Sequence, residues 1–102
     1  MHHSEFLAGV AEVVSDRKSN YGEPIDTYTR AAVIANSILG TALTSYDLAV
    51  IMHAVKLSRM RTSPHRLDNY TDAVNFLAFA AEFSGAYEPP KRPEPLTVRD
   101  DP

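Results

Sequence analysis

Residues 68–84, DNYTDAVNFLAFAAEFS, form a stretch that is apolar on nearly every side of a helix and carries one narrow acidic seam. At roughly 100° per residue, Asp68, Asp72 and Asn75 fall within about 60° of one another. Tyr70, Ala73, Val74, Phe76, Leu77, Phe79, Ala80, Ala81 and Phe83 spread over most of the remaining circumference. An apolar sector so much wider than the roughly 100° of an ordinary surface helix has to be enclosed on two or three sides. The helix is therefore expected at the centre of the fold, with a second copy of the chain supplying part of its cover.

Working outward from it, periodicity predicts an all-α domain of four helices over residues 1–85, its core an antiparallel hairpin of the third and fourth. A helix from about Thr44 to Arg61 precedes the central one. Thr44 and Asp47 form a capping box at its start, and Leu48, Ile51, Met52 and Val55 are its expected apolar face. Thr62 to Leu67 then make a turn, with Ser63 or Asp68 as the next N-cap. Pro24 suits the first turn of a helix that runs to Leu39 and ends at Gly40. Tyr28, Ala31, Ala32, Ala35, Ile38 and Leu39 share one face of it. Ser4 is the expected N-cap of a short first helix through Phe6, Leu7, Val10, Val13 and Val14. SDRKSNYGE, residues 15–23, reads as a loop because turn formers and adjacent cations crowd it. Residues 86–102 hold most of the chain's seven prolines and are expected to be an extended tail.

Composition narrows the function classes. A hydrophobic fraction of 44% and a charged fraction of 23% are those of a globular protein, and no apolar run reaches the roughly 20 residues of a membrane span. A formal charge of −3 argues against non-specific nucleic-acid binding. The absence of cysteine excludes disulfides, thiol catalysis and cysteine-based zinc sites, and the N-terminus shows no secretory core, so a cytoplasmic location is expected. His53 and His65 lack zinc-ligand spacing.

The residues that could carry chemistry form two groups. Asp68 and Asp72, one helical turn apart, could share a divalent cation such as Mg2+ or pair with cations on another helix; as an N-cap and a first-turn carboxylate they would be purely structural. Asp72 adjoins Phe76, Phe79 and Phe83 in projection, and a carboxylate bordered by aromatics needs a partner, which Lys56 or Arg59 could supply. Arg59 itself has two readings, a cation at its helix C-terminus or one turned inward. The second group is Arg17, Lys18, Tyr21 and Gly22: cations for phosphates, a ring to stack on a base, and a backbone that a ligand can approach closely.

Taken together, DRKSNYGEPIDTYTRAAVIANSILG and LTSYDLAVIMHAVKLSRMRTSPHRLDNYTDAVNFLAFAAEFSG resemble a family of small helical bacteriophage and prophage proteins, with an R…YG.P element, a K..R element and a D…D element. The matching positions are Arg17, Tyr21, Gly22, Pro24, Lys56, Arg59, Asp68 and Asp72. More distantly, NYTDAVNFLAFAAEFSG resembles the second metal-binding helix of the MazG-type all-α nucleoside triphosphate pyrophosphohydrolases. Asp72 stands at that motif's aspartate, and Asn69 stands where it has glutamate. The helix where the family's first acidic motif is expected has no carboxylates at the required spacing. The resemblance implies a nucleotide or other phosphate-bearing ligand, held by Arg17, Lys18, Lys56 and Arg59. If the chain is catalytic, it further implies Asp68 and Asp72 as magnesium ligands, with Asp72 the essential one. A non-catalytic binder that sequesters a nucleotide, and a module that inhibits a host protein through its tail, are the alternatives.

Overall fold

The computed structural model describes residues 1–86, so the expected proline-rich tail lies outside the described residues from position 87 onward. The described chain is all-α, with α1 over His3–Tyr21, α2 over Pro24–Leu39, α3 over Ser45–Thr62 and α4 over Leu67–Phe83. No strand occurs among the described residues.

The helix boundaries follow from local chemistry, and two differ from expectation. α1 continues through the segment read as a loop and ends only at Gly22, whose φ of 83° and N–H bond to the Lys18 carbonyl close it. Ser15 to Tyr21 contains no glycine or proline, and the helix propensities of Ser, Asp and Asn are only a few tenths of a kcal/mol unfavourable each. Charge and polarity there mark a solvated helix face. The N-cap is His2 rather than Ser4, with the His2 N–H donating to Glu5 Oε1 at 3.2 Å. α2 begins at Pro24 and ends at Gly40 (φ 67°), as expected. Asn36 then clamps the α2–α3 connection. Its amide donates to the Leu43 carbonyl, while its Oδ1 accepts from the Leu43 N–H and the Thr41 hydroxyl. The capping box at Thr44 and Asp47 forms in both directions, at 3.1 and 2.9 Å.

Neither Ser63 nor Asp68 caps α4. Its N-cap is Arg66, which makes no side-chain cap bond. Ser63 is used by the turn instead: its N–H closes α3 on the Arg59 carbonyl, and its own carbonyl accepts from the Arg66 N–H. Tyr70 fastens that turn by donating its hydroxyl to the Pro64 carbonyl at 2.9 Å. Asp68 sits in the first turn, where a carboxylate complements the helix dipole.

α4 is the central element, as its apolar sector requires. Asn69, Ala73, Asn75 and Ala80 are buried, and among its residues only Leu67, Asp68, Leu77 and Glu82 are exposed. α3 packs most closely against it, α1 touches it along a shorter line, and α2 lies across α3 and α4. The α3–α4 contact corrects the expected apolar face of α3. The side turned to α4 runs through Ala49, which is wholly buried, to His53, Lys56 and Met60; of the expected face Leu48 is half-buried, whereas Ile51, Met52 and Val55 are over a third exposed. The reason is helix spacing. Alanines at 49, 73 and 80 let the backbones approach, and polar groups fill the remainder of the seam. His53 Nδ1 donates to the Ala73 carbonyl at 2.7 Å, which fixes the tautomer and ties one helix to the other. On α2, Ala32 is buried as expected, but Ile38 and Leu39 at its C-terminal end are exposed.

Candidate functional site

The acidic seam of α4 receives cations from two neighbouring helices. α3 places Lys56 Nζ 2.8 Å from Asp72 Oδ2, and α1 places an Arg17 guanidinium nitrogen 3.4 Å from Asp72 Oδ1. The partners differ in burial. Lys56 and Asp72 have side chains only 13% and 14% exposed, whereas Arg17 is 56% exposed. The Lys56 pair is thus a largely desolvated bond that cannot lose one member cheaply, and the Arg17 pair is a solvent-screened contact. Lys18, next along α1, pairs with Glu23 at 3.0 Å in solvent.

Three depressions surround this junction. The first, between α3 and α4, has a volume of about 310 Å³ and a polar wall containing Lys56, Arg59, Arg66, Asp68, Asn69 and Asp72. The second, about 380 Å³, lies between α1 and α4 and shares Asp68 and Asp72 with the first. The third, about 260 Å³, lies among α1, α2 and α4, and shares Arg17 with the second. Arg17, Lys18, Tyr21 and Gly22 line it together with Tyr28, Asn75, Phe76 and Phe79. Arg17, Lys18, Tyr21, Gly22, Lys56, Arg59, Asp68 and Asp72 therefore each border one or more of three hollows that share lining residues. Arg59 is exposed and lines the first of them, while its carbonyl closes α3.

The aromatic wall is a cluster centred on Tyr28, whose ring lies 6.0 Å from Phe79, 6.4 Å from Phe76 and 5.4 Å from Phe83. Burial pushes the Tyr28 phenol up to about 12; the Arg17 charge opposes the rise and Asp72 adds to it. The hydroxyl therefore stays protonated throughout the neutral range.

Sequence reasoning missed four participants. Arg66 adds a cation one residue before α4, and buried Asn69 lies one turn from the junction, at the position noted for the absent glutamate. Asn75 and Tyr28 complete the third hollow. Asn75 had a visible signal, since it shares the projected seam with Asp68 and Asp72. Arg66 looked like turn filler, and Tyr28 looked like ordinary core.

Asp72 is engaged in cation pairing. Both Asp72 oxygens face a positive side chain, and no group of three or more His, Asp or Glu side chains able to hold a metal ion occurs among the described residues. No helix among these residues is long and apolar enough to cross a membrane.

Comparison with known proteins agrees with the phage resemblance. Residues 5–84 match the family described as a domain of unknown function, DUF6378. The chain is 25% identical over 80 residues to the Gene 55 protein of Mycobacterium phage D29, an alignment that covers 78% of this chain and 51% of that protein. The chain thus spans about half the length of this curated relative. No solved structure matches it.

Proposed function

The chain belongs to the DUF6378 family, and from that premise we propose that it binds a nucleotide or a similar phosphate-bearing small molecule, without itself altering it. The observation that supports this reading is the convergence of Arg17, Lys56, Arg59 and Arg66 on two adjoining hollows that share Asp68 and Asp72 and have Glu5 as their third carboxylate. That set carries a positive surplus on a protein whose overall formal charge is negative, −3. A phosphate group satisfies the surplus, and the arginines can bind it bidentately while Lys56 acts as a point charge. Asp72 has the positioning role: it holds Lys56 and Arg17 at the junction of the hollows. Mg2+ then accompanies the ligand, if at all, through the ligand's own phosphates.

A magnesium-dependent pyrophosphohydrolase of MazG type is the second reading, favoured by Asp68 and Asp72 lining the same two hollows. On that reading Asp72 has to release a cation before it can serve as a ligand. The third reading, a module that inhibits a host protein, rests on the tail, which lies outside the described residues. The cytoplasm of a host cell, where nucleotides are abundant, is the location that fits the first two.

A second copy is the macromolecular partner that the surface fits. Val33, Ile34 and Ile38 on α2 are more than half exposed, Ile51, Met52 and Val55 on α3 are over a third exposed, and no large side chain is fully buried among the described residues. A domain with so thin a core gains stability by covering those side chains, and a homodimer does so with one self-complementary surface. In sedimentation equilibrium the chain is expected to be dimeric, and Ile34→Asp to be monomeric; a monomeric wild type would remove the proposal.

Thermal unfolding with a panel of nucleoside mono-, di- and triphosphates, with and without Mg2+, tests the ligand reading. A ligand at about 100 times its dissociation constant adds roughly 2.7 kcal/mol to native stability. Stabilisation with the nucleotide recovered intact supports the binder. Mg2+-dependent release of pyrophosphate would move the assignment to the hydrolase, and no shift with any phosphate compound would overturn both.

A further inference from the structure

The hollow among α1, α2 and α4 holds an unexplained polar group. Asn75 is 3% exposed, and its Nδ2 is the one buried side-chain nitrogen or oxygen among the described residues that has no hydrogen-bond partner. A buried amide without a partner is destabilising by about 1–3 kcal/mol. A leucine at that position would fill similar space beside Phe76 and Phe79 without this penalty. Among the described residues that donor meets no acceptor.

Tyr28, Phe76 and Phe79 give the hollow an aromatic wall, with Phe76 and Phe79 at 6.5 Å centroid separation and nearly perpendicular. Arg17 and Lys18 line the same hollow, and both are more than half exposed, so positive charge lies toward solvent while buried Asn75 forms part of the inner wall. The volume, about 260 Å³, is below the usual range of about 300–1,000 Å³ for a whole drug-sized ligand. It suits one ring system, with the rest of the ligand outside.

Resting on the phosphate-binding reading above, we propose that this hollow is the base subsite: it takes the heteroaromatic ring of a nucleotide, and Asn75 Nδ2 donates a hydrogen bond to a ring nitrogen or carbonyl oxygen. The ring lies against the aromatic wall, and the phosphate meets Arg17 and Lys18 at the mouth. Stacking tolerates any base, whereas a donor from Asn75 selects for an acceptor on the inserted edge. Asn75 is thus a specificity residue that the protein retains at a cost in stability.

Isothermal titration of ribose 5-phosphate and of the adenosine, guanosine, cytidine and uridine 5′-monophosphates into the full chain separates the two claims. At least one monophosphate is expected to bind ten times or more tightly than ribose 5-phosphate. Asn75→Leu is expected to raise the melting temperature of the free protein, to weaken that nucleotide about tenfold, and to leave ribose 5-phosphate unchanged. Thr27→Phe, which starts from an exposed position lining the hollow, is a second variant that needs no change in the core. It should block the nucleotide and spare ribose 5-phosphate. Equal binding of ribose 5-phosphate and all four nucleotides would overturn the base subsite while leaving phosphate binding in place. Failure of every compound to bind would overturn both. Full nucleotide affinity in Asn75→Leu, or in Thr27→Phe should the first variant not fold, would remove this hollow from recognition.

Discussion

The α3–α4 pair and the two helices α1 and α2 both contribute to the candidate site and are held in different ways. α3 and α4 approach through alanines at 49, 73 and 80, are cross-linked by the His53 bond to the Ala73 carbonyl, and share the desolvated Lys56–Asp72 pair. α1 and α2 each bury one residue, Val10 and Ala32, as α3 does with Ala49, but α1 meets α4 along a shorter line and reaches the junction through a solvent-exposed Arg17. A closely packed hairpin thus carries part of the site, and a more lightly packed arm of α1 and α2 carries the rest. A ligand that bridges them would contribute contacts that the free fold lacks, which is how binding can order an element drawn from the less stable part of a structure.

The sharpest way to break this contrast is at Lys56. Lys56→Met leaves Asp72 nearly buried with only a screened partner, and is expected to cost about 3 kcal/mol in urea unfolding. Lys56→Met combined with Asp72→Leu should recover most of that loss, because removing both charges leaves nothing unpaired. Ala49→Leu attacks the close approach itself, and overpacking should cost about 2 kcal/mol. The same kind of measurement on Thr44→Ala should show about 1 kcal/mol, from loss of the cap that starts α3. Arg17→Ala belongs to the arm: its stability change should stay below about 1 kcal/mol while nucleotide affinity falls at least tenfold. If Arg17→Ala were as destabilising as Lys56→Met, the two halves would not differ as described.

A pH titration sharpens the comparison from the other side, because Tyr28 joins the arm to α4. A tyrosine whose folded pKa lies above its unfolded value of 10.0 gives stability that is fully present below pH 10 and is lost as pH rises through about 12. The unfolded chain releases that proton first, so stability should fall across this window. Tyr28→Phe should flatten the fall and remove the highest phenolate transition in the absorbance titration; an unaltered titration would show that burial does not perturb this ring.

What could be read from the sequence follows the same division. The central helix, its acidic seam, Pro24, Gly40 and the Thr44–Asp47 box are local signals, and each depends on residues within a turn of one another. That Asp72 pairs with a cation of α3, Lys56 or Arg59, was legible because a carboxylate bordered by phenylalanines demands a partner; the choice of Lys56 was not. The face of α3 was legible only in part: Leu48 is half-buried and with Met52 adjoins Tyr28 and Phe76, but alanine, histidine and lysine fill the seam with α4 while Ile51 and Val55 are exposed, and a hydrophobicity pattern ranks them the other way. The loop assigned to Ser15–Glu23 failed for a related reason: polar residues without glycine or proline describe a solvated helix as well as a turn. Asn75 Nδ2 could be recognised as unpaired only from three-dimensional contacts.

Amide hydrogen exchange across α1, with and without the best-binding nucleotide, tests the bridging site most directly. The account predicts slowed exchange over residues 14–21 on ligand addition, with little change in the already protected centre of α3. Slowed exchange confined to α3 and α4, with α1 unaffected, would contradict it.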